Sequence, residues 1–162
     1  MSDVGDTSEY VKELANCLLA HIKNMRANLV EQYYIYYLNK IVDLVQFKFF
    51  DNLWEAKKLN DIGIQRLQLD VFELKTILIN FLKIDSDKKK ITTGMQNSYT
   101  SNVNKKMAKI ENVLKLLAMN TDQFAANARN FLERDAPEIE KIMIMKGLKK
   151  TDNFINKLFS GK

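Results

Sequence analysis

His21 is the only histidine of the chain, and Cys17, four residues before it, is the only cysteine. On a helix that spacing stacks an imidazole above a thiol, the layout of a nucleophile beside its base. An activated pair needs a third group to orient it, and none can be identified for His21. Leu18 and Ile22 flank the imidazole, so His21 reads as a partly buried packing histidine, not as a general base or metal ligand. A single cysteine excludes an internal disulfide and a Cys-based metal cluster. Glu111, Glu133, Glu138 and Glu140 supply carboxylates, but without a Glu-x-x-His spacing and with no second histidine to complete one. No G-x-x-x-x-G-K-S/T or G-x-G-x-x-G loop is present to cradle phosphates. These residues predict no catalytic centre, no metal site and no cofactor.

The remaining polar groups suit contacts. Arg66 and Asp70, with Glu73 and Lys75, fall on the polar side of one helix, where Arg66–Asp70 would be a surface ion pair worth a few tenths of a kcal/mol. The run Lys88–Lys90 could touch phosphates, yet Asp85 and Asp87 adjoin it and no stacking aromatic lies beside it, so nucleic acid is not an expected partner. Tyr33-Tyr34 and Tyr36-Tyr37 put rings on two helix faces, and at least one pair should be partly exposed as a contact. Lys146, Gly147, Leu148, Lys149 and Lys150 form the main candidate for an exposed partner-binding patch: a basic helix end, a tight turn and an apolar residue. Lysines at that position also favour the helix dipole, which accounts for part of the pattern.

The elements that must hold these residues are helices. Of 162 residues 46% are hydrophobic, with one Pro and five Gly, a composition for long helices, short turns and a real core. Ser8–Ala27 predicts a first helix with stripe Val11, Leu14, Leu18, Ile22 and Met25, and residues 1–7 are expected to be a disordered lead. Leu29–Lys58 predicts a second, aromatic-rich helix along Tyr34, Leu38, Ile41, Val45, Phe49 and Asn52, broadened by Tyr33, Tyr37, Leu44 and Trp54 and buried on much of its circumference. Asp61–Lys83 carries Ile64, Leu67, Val71, Leu74, Leu78 and Phe81 in one line, widened by Phe72, Ile79 and Leu82, with Asn60 or Asp61 as cap. Gly63 in its first turn would let a neighbouring helix approach. Ile84–Gln96 reads as a lysine-rich loop, hinge-like, between a first bundle portion (8–83) and a C-terminal one (97–162).

Beyond it, Asn97–Met119 predicts a fourth helix along Val103, Met107, Ile110, Leu114 and Leu117. Thr121 would cap a fifth, Asp122–Arg134, with Phe124, Ala128, Phe131 and Leu132 inward. Asp135-Ala136-Pro137-Glu138 starts a sixth that runs to about Lys146 and stops at Gly147, and Thr151–Phe159 predicts a short seventh. The fold class is all-α, an elongated stack of antiparallel helical bundles. Charge divides unevenly: residues 1–82 hold 9 Lys/Arg and 11 Asp/Glu, net −2, and residues 83–162 hold 16 and 9, net +7. The C-terminal half is therefore the one expected to meet an acidic partner. The polar start carries no signal-peptide pattern, and no apolar run reaches the roughly 18 residues of a membrane span. With one cysteine this fits a reducing, cytosolic setting.

Two segments resemble one family. Ile62–Leu78, I-G-I-Q-R-L-Q-L-D-V-F-E-L-K-T-I-L, is similar to the V-G-A-x-x-L-x-L-D-x-x-x-L-K-x-x-L helix near the C-terminus of the vacuolar-protein-sorting 53 family, matching at Gly63, Leu67, Leu69, Asp70, Leu74, Lys75 and Leu78. Ile142–Lys150, I-M-I-M-K-G-L-K-K, resembles that family's K-I-x-x-M-K-G-L-K/R stretch, and a Ser-Tyr-Thr turn at Ser98–Thr100 before a long helix keeps the order. The sequence departs at Ile64, where a small residue is usual, and at Lys83, where a Pro usually ends the helix. The resemblance implies a rod-like tethering-complex subunit fold. It also implies a non-enzymatic C-terminal module of the Golgi-associated retrograde protein (GARP) complex, which tethers endosome-derived vesicles to the trans-Golgi network. Other tethering-complex subunits, SNAREs and small GTPases would be its partners, with peripheral association at the cytosolic face of the trans-Golgi network and endosomes. The residues alone leave a second reading open, a basic helical module binding anionic membrane or nucleic acid directly.

Overall fold

The computed structural model describes residues 7–56, 58–84, 90–131 and 137–148. Its elements are α1 (Glu9–Asn28), α2 (Glu31–Glu55), α3 (Asp61–Asn80), a 3₁₀ turn (Phe81–Lys83), α4 (Thr93–Ala118), α5 (Thr121–Phe131) and α6 (Pro137–Met145), with no strand among the described residues. The fold is all-α, as the periodicity predicts. Residues 1–6 of the expected lead 1–7, Lys88 and Lys89, Leu132, the Asp135 cap and the helix Thr151–Phe159 lie outside the described residues.

The hub is α4, which packs against α2, α3, α5 and α6, while α1 leans on α3. Its apolar residues explain the position. Val103, Met107, Ile110 and Leu114 are fully buried, and so are Tyr99, Val113 and Leu116 on adjoining arcs, so the helix is covered on several sides. The core is one continuous cluster from Ile22 to Met145. Each fully buried Leu, Ile or Met contributes roughly 1.5–3 kcal/mol by leaving water. On α3 the expected line holds at Ile64, Val71, Leu74, Leu78 and Phe81, with Leu67 half-buried. Phe72 does not widen it: at 67% exposure it falls outside that arc.

Several boundaries differ from expectation for local reasons. α1 and α2 are separated by two extended residues, Leu29 and Val30, so α2 starts at Glu31. α4 starts at Thr93 instead of Asn97, which shortens the expected 84–96 loop and puts Ser98–Thr100 inside a helix, not in a turn. The Thr92 N–H donates to the Glu31 carboxylate, an anchor sixty-one residues away that the local sequence cannot announce. At α5 the cap is Asn120, not Thr121. Gln123 N donates to Asn120 Oδ1 at 2.9 Å and Asn120 N to Gln123 Oε1 at 3.3 Å, a reciprocal capping box. Asn60 caps α3 as expected, accepting from Gly63 N at 2.8 Å. A Cβ on Gly63 would stand 3.0 Å from that same Asn60 oxygen and meet no other helix, so the glycine makes room for the cap and not for a neighbour.

Helix ends are also satisfied from a distance. Ser8 N, at the start of α1, donates to Asp70 Oδ1 of α3 at 2.7 Å. At the end of α3, Tyr99 Oη donates to Leu78 O at 2.8 Å and Tyr34 Oη to Phe81 O at 2.9 Å. At the end of α4, Lys146 Nζ donates to Leu117 O at 3.0 Å and to Met119 O. Free carbonyls and N–H groups at helix ends need such partners, and a negative group at an N-terminus or a positive one at a C-terminus also meets the helix dipole favourably.

Candidate protein-interaction surface

The residues singled out for chemistry are dispersed. Cys17 is exposed. His21 is exposed too, not partly buried, and its ring lies 6.0 Å from that of Tyr37 at a tilted angle. Glu111 pairs with Lys75 at 3.3 Å and Glu138 with Lys109 at 2.7 Å, so both carboxylates tie neighbouring helices to α4. Among the described residues no group of three or more His, Cys, Asp or Glu could hold a metal ion.

The Arg66–Asp70 surface pair is not formed. Asp70 is wholly buried and receives the Ser8 N–H, while Arg66 stays exposed. A backbone N–H at a helix start is a stronger lure for a carboxylate than an exposed guanidinium one turn away. The Tyr10 hydroxyl beside it is pushed above its usual range, first by desolvation and then by the Asp70 charge.

The basic turn divides into two halves. Gly147 adopts φ +69°, and Leu148 N donates to Met143 O at 2.9 Å while Gly147 N donates to Ile144 O at 3.0 Å. Those two bonds are a Schellman closure, for which glycine is the natural residue. Leu148 is half-buried against the core. Lys146 is half-buried as well; desolvation lowers its ammonium below the usual value, the Asp61 charge opposing, and it donates to the Leu117 and Met119 carbonyls at the end of α4. Lys149 and Lys150 lie outside the described residues.

A different surface emerges around α2. Tyr34 is buried and Tyr37 half-buried, but Tyr33 and Tyr36 are 66% and 61% exposed, as are Leu44 at 58% and Phe47 at 62%. α2 is apolar around most of its circumference and the bundle covers only part of it, short of the burial its sequence predicts. Between α1 and α2 opens a groove of about 550 Å³, walled by Tyr10, Leu14 and Leu18 on one side and by Ile41, Leu44, Val45 and Phe49 on the other, with Leu67 and Leu74 of α3 beneath. Its polar lining is Tyr10, Lys48 and Asn52, without a nucleophile–base pair. Such a groove can hold an apolar helix face. The sequence signal for it was the excess of apolar residues on α2, which reads equally as burial when the neighbours are unknown.

The family described as Vacuolar protein sorting-associated protein 53 C-terminus matches residues 65–148, from the first turns of α3 to the closure after α6. Vacuolar protein sorting-associated protein 53 A of Arabidopsis thaliana is 30% identical over 153 residues, 94% of this chain and 18% of that protein. The chain thus spans less than a fifth of the length of that curated relative. No solved structure matches.

Proposed function

The chain belongs to the family of vacuolar protein sorting-associated protein 53 C-termini, and from that premise we propose that it is a non-enzymatic module of a multisubunit vesicle-tethering complex in endosome-to-trans-Golgi retrograde transport. The observation that carries the reading is the family match across α3–α6. The character of the surface supports it: an apolar groove and exposed aromatics. The module works by protein–protein contacts, within a rod of stacked helical bundles. Its partners are the other tethering-complex subunits, with SNAREs and small GTPases as transient ones, at the cytosolic face of the trans-Golgi network and endosomes. No helix among the described residues is long and apolar enough to cross a membrane, which suits peripheral association. The basic turn contributes to partner contact through Lys149 and Lys150, because Lys146 and Leu148 already serve the fold.

The test is retrieval of a recycling cargo from endosomes to the Golgi in cells lacking the protein. The intact protein should restore retrieval and co-purify the other subunits, and the protein without residues 8–148 should not. Full rescue without that region overturns the proposal. So does steep, salt-dependent binding of this region to anionic vesicles or nucleic acid with no protein partner, which is the behaviour of a basic membrane or nucleic-acid module.

A further inference from the structure

The exposed apolar residues of α2 form a line. Tyr33, Tyr36, Lys40, Leu44 and Phe47 are spaced three, four, four and three apart. At 100° per residue they occupy an arc of roughly 80°, over a length of about 21 Å. That is the spacing of a seam that receives one more helix, and soluble chains seldom leave such a strip to water. Leu44 also belongs to the wall of the α1–α2 groove, so seam and groove form one continuous surface.

Charge identifies the occupant. Lys40 stands at the centre of the line with its ammonium 5.1 Å from the Tyr36 ring, and Lys48 lies beside its end, 5.6 Å from the Phe47 ring. The nearby carboxylates of α2 are engaged: Asp43 with Lys106 at 2.9 Å, Asp51 with Lys48 at 3.5 Å, and Glu31 with Thr92 N. The seam therefore presents aromatic rings around a central cation. A second copy of the chain is a poor occupant, because pairing this line with itself, antiparallel about its midpoint or parallel, sets Lys40 against Lys40. A helix carrying a carboxylate at its middle seam position meets every feature.

We propose that the outer face of α2 docks an amphipathic helix of a partner protein, with apolar residues at three- and four-residue spacing and a Glu or Asp opposite Lys40. The docking deepens the protein-contact reading above but is measured on the purified chain, so it stands or falls independently of retrograde transport. The probes are two synthetic amphipathic helical peptides of three heptads, identical except for Glu or Lys at the central seam position. The Glu peptide should bind at least about tenfold more tightly than the Lys peptide, since like charges set against each other in an interface are penalised. Lys40→Glu should reverse that preference, and Tyr36→Ser with Phe47→Ser should abolish binding. All three positions are exposed, so the melting temperature of each variant should stay near the parent's and report an intact fold. Equal binding of the two peptides, no binding of either, or binding unaffected by the double substitution overturns the proposal. It is equally overturned if light scattering finds a dimer that the double substitution dissociates, or if that substitution abolishes binding to phosphatidylcholine–phosphatidylserine vesicles while peptide binding persists.

Discussion

Asp70 changes the meaning of the residues around it. A carboxylate four residues after an arginine reads as half of a surface pair, but here it is buried and closes the start of α1. Asp70→Ala should cost about 1–3 kcal/mol, the penalty of leaving a half-buried donor unpaired together with the loss of a charge at a helix start, read from the urea midpoint. Arg66→Ala should stay within about 0.5 kcal/mol, as an exposed side chain outside the pair would; a large Arg66 effect would restore the surface-pair reading. Tyr99 offers a second test. Its hydroxyl is raised above the ordinary 10.0 by burial, then by the neighbouring Tyr34 phenol. Above pH 10.0 the unfolded chain loses this proton while the folded one keeps it, so Tyr99 opposes stability increasingly as pH rises past that value. Tyr99→Phe should lower stability at neutral pH by about 1–2 kcal/mol through the unpaired Leu78 carbonyl, and should flatten the alkaline fall in melting temperature. An unchanged alkaline limb would refute the assignment.

At the level of elements, α6 is held against α4 by the Lys109–Glu138 ion pair, by Lys146 on the carbonyls of Leu117 and Met119, and by its buried Ile139, Ile142 and Met143. Burial alone would raise the Glu138 carboxyl, but the hydrogen bond and charge of Lys109 at 2.7 Å hold it below its usual 4.5. A depressed carboxyl adds stability above 4.5 that is lost as pH falls through the lower folded value. Lys109→Met should remove that acid-side contribution. The loss should be below about 1 kcal/mol because Lys109 is half exposed, and visible as earlier acid exposure of α6 amides. Helix existence was legible from the three- and four-residue spacing of apolar residues in α3 and α4. Helix starts were less so: Asn60 and the Gly147 stop are local signals, whereas the start of α4 at Thr93 depends on Glu31, and no window of neighbouring residues contains that fact. The face of α2 was the hardest to read. Apolar periodicity states which residues avoid water, not whether a neighbour within this chain covers them, so Phe47 carried no sign of its exposure, and the paired tyrosines announced an exposed ring without singling out Tyr33 and Tyr36.

For the molecule as a whole, the candidate site was half legible. The turn at Gly147 was found from its sequence, yet Lys146 turned out to face the carbonyls of α4. Side-chain closures link α1 to α3, α3 to α2 and α4, and the end of α4 to the turn after α6. Helices joined in this way should unfold together. Calorimetry should give one transition whose calorimetric and van't Hoff enthalpies agree, and Lys146→Met should shift that transition downward without splitting it. Two resolved transitions would mean that the bundle comes apart in pieces.

The same closures bear on the order in which the chain emerges from the ribosome. The start of α1 waits for Asp70, synthesised 62 residues later, and the end of α4 waits for Lys146, 29 residues beyond Leu117. A growing chain therefore leaves these two helix ends open until later helices have been made, although domains commonly fold from their N-terminal side during synthesis. Until Lys146 has cleared the exit tunnel the bundle has no complete form, and α1 and α2 emerge with their apolar faces unguarded, the period in which a chaperone would be needed.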